Sequence, residues 1–178
     1  MQVAGRQLKV LVTYYSSAGH TRTIAEHVAR ATQGDLEELR AAGEPSGAGA
    51  HHYLWALRHL LLSQKPPLTC LEHDAATYDL IILGSPVWLC TFSPVLQSYV
   101  RTADLAHKHI ALFCSYRNSS GTAFKHVRRM LSASIVMATT LSVLDPVAAG
   151  PSSISLRAQR WAHDLELAMA AQEARAGL

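Results

Sequence analysis

Two hydrophobic periods alternate along the chain. A continuous apolar run, Leu8 to Tyr14, opens it, with Val10 to Tyr14 as its centre; such a run predicts a strand covered on both faces. From Thr21 to Thr32 the period becomes helical. Ile24 and Val28, with Ala25 and Ala29, form an apolar stripe, while Arg22, Glu26 and Arg30 point away from it. Gly34 is placed to cap this helix. Asp35 to Arg40, D-L-E-E-L-R, fits a short strand near a sheet edge, with a helical turn as the alternative. Ala41 to Ala50 is rich in Gly, Ala, Pro and Ser and reads as a mobile connector. The helical period returns from His51 to Gln64, with Tyr53, Leu57, Leu60 and Leu61 on one face and Trp55 and Leu62 on another, until Pro66-Pro67 stops it. That helix either caps the domain or also meets a partner subunit or screens a ligand.

Tyr78 to Gly84, Y-D-L-I-I-L-G, is the clearest buried strand. It runs into a loop, Ser85 to Pro94, and Pro94 suits the start of a helix that reaches Arg101. Ile110 to Cys114 predicts a fourth strand, Ser115 to Gly121 a turn, Thr122 to Leu131 a helix, Ser134 to Leu144 a fifth strand, and Pro151 to Arg175 a closing helix. Strands and helices alternating in this way imply one α/β domain over residues 1–178, of which 1–7 are a tail. Its five-stranded parallel sheet is doubly wound, with right-handed crossovers and helices on both faces. Ligands bind such sheets at the C-terminal strand ends, where the strand order reverses. Three connections meet there: Tyr15–Thr21, Gly84–Pro94 and Ser115–Gly121.

The first of these, S-S-A-G-H-T, follows a strand and opens a helix. The hydroxyls of Ser16, Ser17 and Thr21 and the unpaired N–H groups of the first helical turn suit a phosphate, and Gly19 permits the backbone to approach it closely. Of the basic side chains, only His20 or Arg22 lies near. The dinucleotide fingerprint G-x-G-x-x-G and the P-loop G-x-x-x-x-G-K-[ST] are both absent, so a single phosphomonoester fits better than a nucleoside triphosphate or a conventionally held dinucleotide. The second connection carries Trp88, able to stack on a planar ring, with Pro86 stiffening its approach. The third carries Cys114, Ser115, Tyr116, Asn118, Ser119, Ser120 and Gly121, whose hydroxyls and amides suit the polar edge of a heterocycle, with Tyr116 facing Trp88 across a ring.

Composition narrows the field. Of the 178 residues 49% are hydrophobic and 16% charged, the signature of a globular chain. No apolar run approaches the roughly 20 residues of a membrane span, and residues 1–7 lack the apolar core of a secretory signal, so the expected location is cytoplasmic. Three cysteines, Cys70, Cys90 and Cys114, without metal-like spacing, read as free thiols. Ten histidines show no trusted ligand spacing. A formal charge of +3 with scattered arginines is no nucleic-acid footprint.

With these motifs in view, the sequence resembles the flavodoxin family, in particular its short-chain, small bacterial members. Y-Y-S-S-A-G-H-T-R resembles the family's phosphate loop, usually S-x-T-G-N-T. Y-D-L-I-I-L-G-S-P-V-W-L-C-T-F-S-P-V resembles its third strand and flavin-flanking loop, and F-C-S-Y-R-N-S-S-G the loop after its fourth strand. The resemblance implies the flavodoxin-like three-layer sandwich, strand order 2-1-3-4-5, and FMN as cofactor. By that resemblance the phosphate lies at Ser16, Ser17, Ala18, Gly19, His20 and Thr21. The isoalloxazine lies along Ser85, Pro86, Val87, Trp88 and Leu89, and its pyrimidine edge by Cys114, Ser115, Tyr116, Asn118 and Gly121. Two positions depart from the pattern. Ala18 replaces a Thr, a lost hydroxyl that weakens binding about tenfold. His20 replaces an Asn and, protonated, offsets part of that. The family's electron shuttles are acidic whereas this chain is slightly basic, with Arg117 on the flavin side, which predicts a less negative second reduction potential.

Two classes of function follow. The first is an FMN-binding flavoprotein, acting in electron transfer with a redox partner protein or as an oxidoreductase that reduces a small-molecule acceptor such as a quinone with NAD(P)H. The second is a binding or regulatory module that has kept the fold and lost the flavin. A homodimer suits either.

Overall fold

The computed structural model describes residues 1–3, 5–45, 50–62 and 64–176. Its centre is the parallel sheet that the apolar runs predict. β1 (Val10–Tyr14) is buried at all five positions. It pairs in parallel with β2 (Asp35–Glu38) on one side and with β3 (Leu80–Trp88) on the other. β4 (His109–Tyr116) extends the sheet from β3, and β5 (Ile135–Leu144) closes it. The order β2-β1-β3-β4-β5 reverses between β1 and β3, which puts the switch point where the motifs lie.

Alternate residues of the buried strands serve two cores. Val10, Val12, Leu80, Ile82 and Phe113 face α1 (His20–Thr32) and α5 (Pro151–Ala176), together with Ile24, Val28, Trp161 and Leu165. Leu11, Ile81, Leu83, Leu112 and Cys114 face α3 (Pro94–Thr102) and α4 (Ala123–Met130), together with Val95, Leu96, Tyr99 and Val127. α2 (Ala50–Leu61) lies on this second side, where Trp55 packs against the core. Burial on both faces is why β1, β3 and β4 read as unbroken apolar runs.

Several expectations need correction. The described residues of the expected tail at 1–7 are packed: Gln2–Val3 pairs antiparallel with Arg6–Gln7, and Met1, Val3 and Leu8 enter the core. The described part of the connector is also tied down. Ala41 bridges to Leu68, and the Glu44 carboxylate accepts from the Ala41 N–H at 3.1 Å; residues 46–49 of that stretch lie outside the described residues. The left-handed residue after α1 is Gln33 (φ 54°), not Gly34. Gly34 answers a different need, since a Cβ there would sit 3.0 Å from the Val10 carbonyl oxygen. Among the described residues of α2 the buried one is Ala56; Leu57 and Leu60 are half-buried, while Tyr53, Leu54 and Leu61 are exposed, so the expected apolar face packs only in part.

The segment after Gly84 is not an open loop. β3 runs on through Ser85 to Trp88 and turns back, with Val87 opposite Phe92 and Trp88 opposite Thr91. β5 carries an irregularity: Ile110 pairs with Val136, but Leu112 pairs with Thr140. The Arg128 guanidinium donates to the Met137 and Ala138 carbonyls there, at 2.7 and 3.2 Å, satisfying backbone that the ladder leaves over.

Candidate functional site

The first connection leaves β1 with the Tyr15 N–H donating to the Gly84 carbonyl at 3.0 Å. Gly19 caps α1 in the left-handed region (φ 82°) and provides no side-chain cap. The helix N-terminus is thus met by Ser16, whose Oγ accepts from the Arg22 N–H at 3.2 Å. The Arg22 guanidinium grips both Glu38 oxygens, at 2.5 and 2.7 Å, so it is committed to β2 rather than to the loop. His20, the other basic side chain expected nearby, does line the cavity described below. Thr21 is buried, and its Oγ1 lies 2.8 Å from the Ser115 Oγ, a direct bond from the first connection to the third.

The second connection is a hairpin with a two-residue tip. Leu89 (φ 47°) and Cys90 (φ 60°) are both left-handed, the geometry that fits the twist of a tight hairpin but that usually falls to Asn and Gly. Polar contacts hold its arms. The Ser85 Oγ accepts from the Ser93 N–H at 2.9 Å, the Gln97 side-chain amide donates to the Phe92 carbonyl at 2.8 Å, and the Thr122 hydroxyl donates to the Cys90 carbonyl at 3.2 Å. Trp88 meets Tyr15 edge to face, centroids 5.9 Å apart and rings at 89°. The Tyr15 hydroxyl donates to Glu44 at 2.7 Å, and burial together with that carboxylate pushes the phenol well above its ordinary range. At Gly84, where the hairpin leaves the sheet, the strand passes directly over the Phe113 ring.

A cavity of about 360 Å³ gathers these parts. Ser16, Ser17, Ala18, His20 and Thr21 line one end; Pro86, Val87 and Trp88 line a wall; Ser115, Tyr116 and Arg117 line the third side. Other expected residues lie outside its lining. Ser85 is buried at the hairpin base. Cys114 is buried beneath the site, where desolvation pushes its thiol up to about 12 and keeps it neutral. Leu89 and Asn118 are exposed, and Gly121 sits against the Cys90 side chain. Gly19 instead borders a neighbouring cavity of about 430 Å³, across the loop toward Glu38 and Arg40.

Three lining residues were not anticipated: Tyr53, Asp145 and Pro146. Asp145 is left-handed (φ 36°), donates its N–H to the Tyr116 carbonyl at 2.9 Å, and accepts from the Ala148 N–H at 3.3 Å to start a single helical turn, Pro146–Ala149. The rule that ligands sit at C-terminal strand ends already pointed to the end of β5, and Asp-Pro is a helix-start signal. Among the described residues no helix is long and apolar enough to cross a membrane, and no three His, Cys, Asp or Glu side chains converge on a metal position.

A family model described as Flavodoxin matches residues 9–142. A protein from Cupriavidus metallidurans (strain ATCC 43123 / DSM 2839 / NBRC 102507 / CH34), named NAD(P)H dehydrogenase (quinone), is 34% identical over 98 residues, 53% of this chain and 46% of its own. The match thus spans about half the length of that relative. The crystal structure of a flavoprotein in complex with FMN from Lactobacillus acidophilus NCFM superposes with a TM-score of 0.66 at 21% identity, covering 76% of this chain and 92% of its own. The flavodoxin, WrbA-like protein from Agrobacterium tumefaciens gives 0.60 at 14% identity, over 91% and 98%. At these identities the two structures speak for the fold.

Proposed function

The chain belongs to the flavodoxin family, and from that premise we propose that the cavity at the switch point is an FMN site for redox chemistry, either electron transfer or NAD(P)H-dependent reduction of a small acceptor such as a quinone. One observation carries the reading. A hydroxyl-lined helix N-terminus and two aromatic-bearing strand ends, from three separate connections, line a single cavity of about 360 Å³.

The residues fit the group. Ser16, Ser17, His20 and the first-turn N–H groups of α1 make the phosphate end, where the helix dipole favours an anion. Pro86 and Val87 bring strand backbone to the flat ring, and Trp88 and Tyr116 add aromatic surface that excludes water from it. The Thr21–Ser115 bond fixes the distance between the two ends. Bound there, FMN supplies the redox chemistry, and no side chain is needed as acid or base. Arg117, exposed at the rim, places positive charge beside the ring. Leu89, at the tip of the hairpin beside the cavity, is exposed, so an acceptor could approach along that rim. The name of the Cupriavidus relative supports the small-acceptor form.

Titrating the apoprotein with FMN tests this reading. Saturable binding with loss of flavin fluorescence is expected, and its failure to saturate would sink the proposal. Oxidation of NAD(P)H by a quinone in the presence of the loaded protein alone then separates a reductase from a shuttle.

A further inference from the structure

The fold sorts charges that lie scattered in the sequence. Residues 105–144, which contain β4, α4 and β5, hold five Lys or Arg (Lys108, Arg117, Lys125, Arg128 and Arg129) and no Asp or Glu. Residues 35–79, which begin with β2 at the opposite edge of the sheet, hold seven Asp or Glu against three Lys or Arg. We propose that the outward face of α4, with Arg117 and the hairpin tip, docks an acidic one-electron carrier protein beside the cavity. The proposal rests on the reading of that cavity as a flavin site.

The cations of α4 are free to meet a partner. Lys125 and Arg129 stand four apart, on the side of the helix away from Ala123 and Val127, which are buried. Both are exposed, as are His126 beside them and Arg117 before the helix. Among the described residues no ion pair includes any of these four side chains. Arg128 differs, being committed to the Met137 and Ala138 carbonyls. Cations gathered on one solvent face without counter-charge create a field that steers an acidic surface toward them. The acidic stretch at the β2 edge repels the same partner and so fixes its orientation.

The start of α4 is fastened to the rim of the site. The Thr122 hydroxyl donates to the Cys90 carbonyl at 3.2 Å, and Phe124 meets Phe92 edge to face with ring centroids 5.6 Å apart. A Cβ on Gly121 would lie 3.0 Å from the Cys90 Sγ, so the third connection also packs closely on the hairpin. Exposed Leu89 at the hairpin tip supplies apolar contact and the cations supply a polar rim, the make-up of a small, transient interface. One electron crosses in each encounter: the carrier is oxidised by one as the flavin is reduced by one, or the reverse.

A strongly acidic plant-type 2Fe–2S ferredoxin is the probe. Stopped-flow mixing of reduced ferredoxin with the FMN-loaded protein is expected to give a second-order rate that falls about tenfold between roughly 20 and 300 mM salt. Lys125→Glu with Arg129→Glu is expected to lower the low-salt rate about tenfold or more, and Arg129→Glu alone severalfold. Arg160→Glu makes the same single change of charge at an exposed position on α5, across the sheet, and is expected to leave the rate within about twofold. A rate that neither salt nor the double variant alters overturns the proposal, as does an equal loss in Arg160→Glu, which would mean that net charge rather than this face is felt. Duplex DNA bound more tightly than ferredoxin, and released by the same double variant, overturns it too. Calorimetry of the apoprotein with oxidised ferredoxin reads the surface without the flavin. Binding lost in the double variant supports the docking face even where FMN fails to bind, and no binding overturns it even where FMN saturates.

Discussion

The connections after β1 and β3 both need left-handed backbone, and they obtain it in opposite ways. The first uses Gly19 (φ 82°), where a Cβ would meet nothing within 4 Å, so the conformation costs little. The second uses Leu89 and Cys90, side chains that make this region unfavourable by about 1–2 kcal/mol each. A relaxed loop suits a helix start whose amides are to meet the anion proposed there. The hairpin has to project Trp88 away from the sheet, and its tip is held by the Thr122 hydroxyl on the Cys90 carbonyl and by the Ser85 and Gln97 contacts on its arms. Strain at the rim of a site is therefore balanced by polar contacts farther down.

The largest test lies at the base of the hairpin. A Cβ on Gly84 would fall 1.9 Å from the Phe113 ring, which packs edge-on against Trp161 at a centroid distance of 6.5 Å. That ring has no room to withdraw. Gly84→Ala is expected to destabilise the fold by about 3 kcal/mol or more, the upper end of overpacking costs, or to prevent folding. A urea midpoint close to that of the wild type would show that the strand passes Phe113 less tightly than the structure has it. Gly19→Ala comes next. With open space around the Cβ, only backbone strain opposes it, and a loss of about 1–2 kcal/mol is expected in the same assay. Equal losses at the two glycines would erase the distinction between steric and conformational need.

The contrast also marks how far the sequence could be read. β1, β3 and β4 are covered on both faces, so burial itself writes an apolar run, and the parallel sheet follows from alternation with helices, while its strand order came from the resemblance to the family. The connection after β1 was legible as a turn for the same local reason, because Ser, Gly and Thr between a strand and a helix mark a helix start. The hairpin was not. Leu89 and Cys90 carry none of the Asn or Gly signal that marks such a turn, since contacts from Ser93, Gln97 and Thr122, distant or on the far arm, enforce it. Tyr53 and Asp145 reach the cavity through tertiary packing, and D-L-E-E-L-R gave little hint that its Glu38 and Arg40 border a second cavity. The apolar face of α2 was misjudged because, among its described residues, only Ala56 is fully covered.

Leu89→Gly tests the hairpin from the other direction. The side chain is 58% exposed, so little burial is lost. If the tip is strained as described, glycine relieves about 1 kcal/mol and raises the denaturation midpoint. If the tip is relaxed in solution, the added freedom of the unfolded chain dominates and the variant loses up to about 1 kcal/mol. The sign alone decides between them.

The smallest effect concerns charge on the third connection, where Arg117 faces the hairpin across the cavity. Reduction of a bound flavin past its first electron builds negative charge on the ring, and a cation at the rim favours that anion. Arg117→Glu reverses the rim charge without touching either left-handed turn. At an exposed position the interaction is worth a fraction of a kcal/mol up to about 1 kcal/mol, because water screens it. For a one-electron step that corresponds to a few tens of millivolts. A redox titration of the FMN-loaded variant is expected to show the second potential lowered by this amount and the first nearly unmoved, with the difference shrinking as salt rises. A shift that salt leaves intact would mean that the substitution acts by moving the hairpin or the loop, and the strained rim rather than the charge would then be what sets the potential.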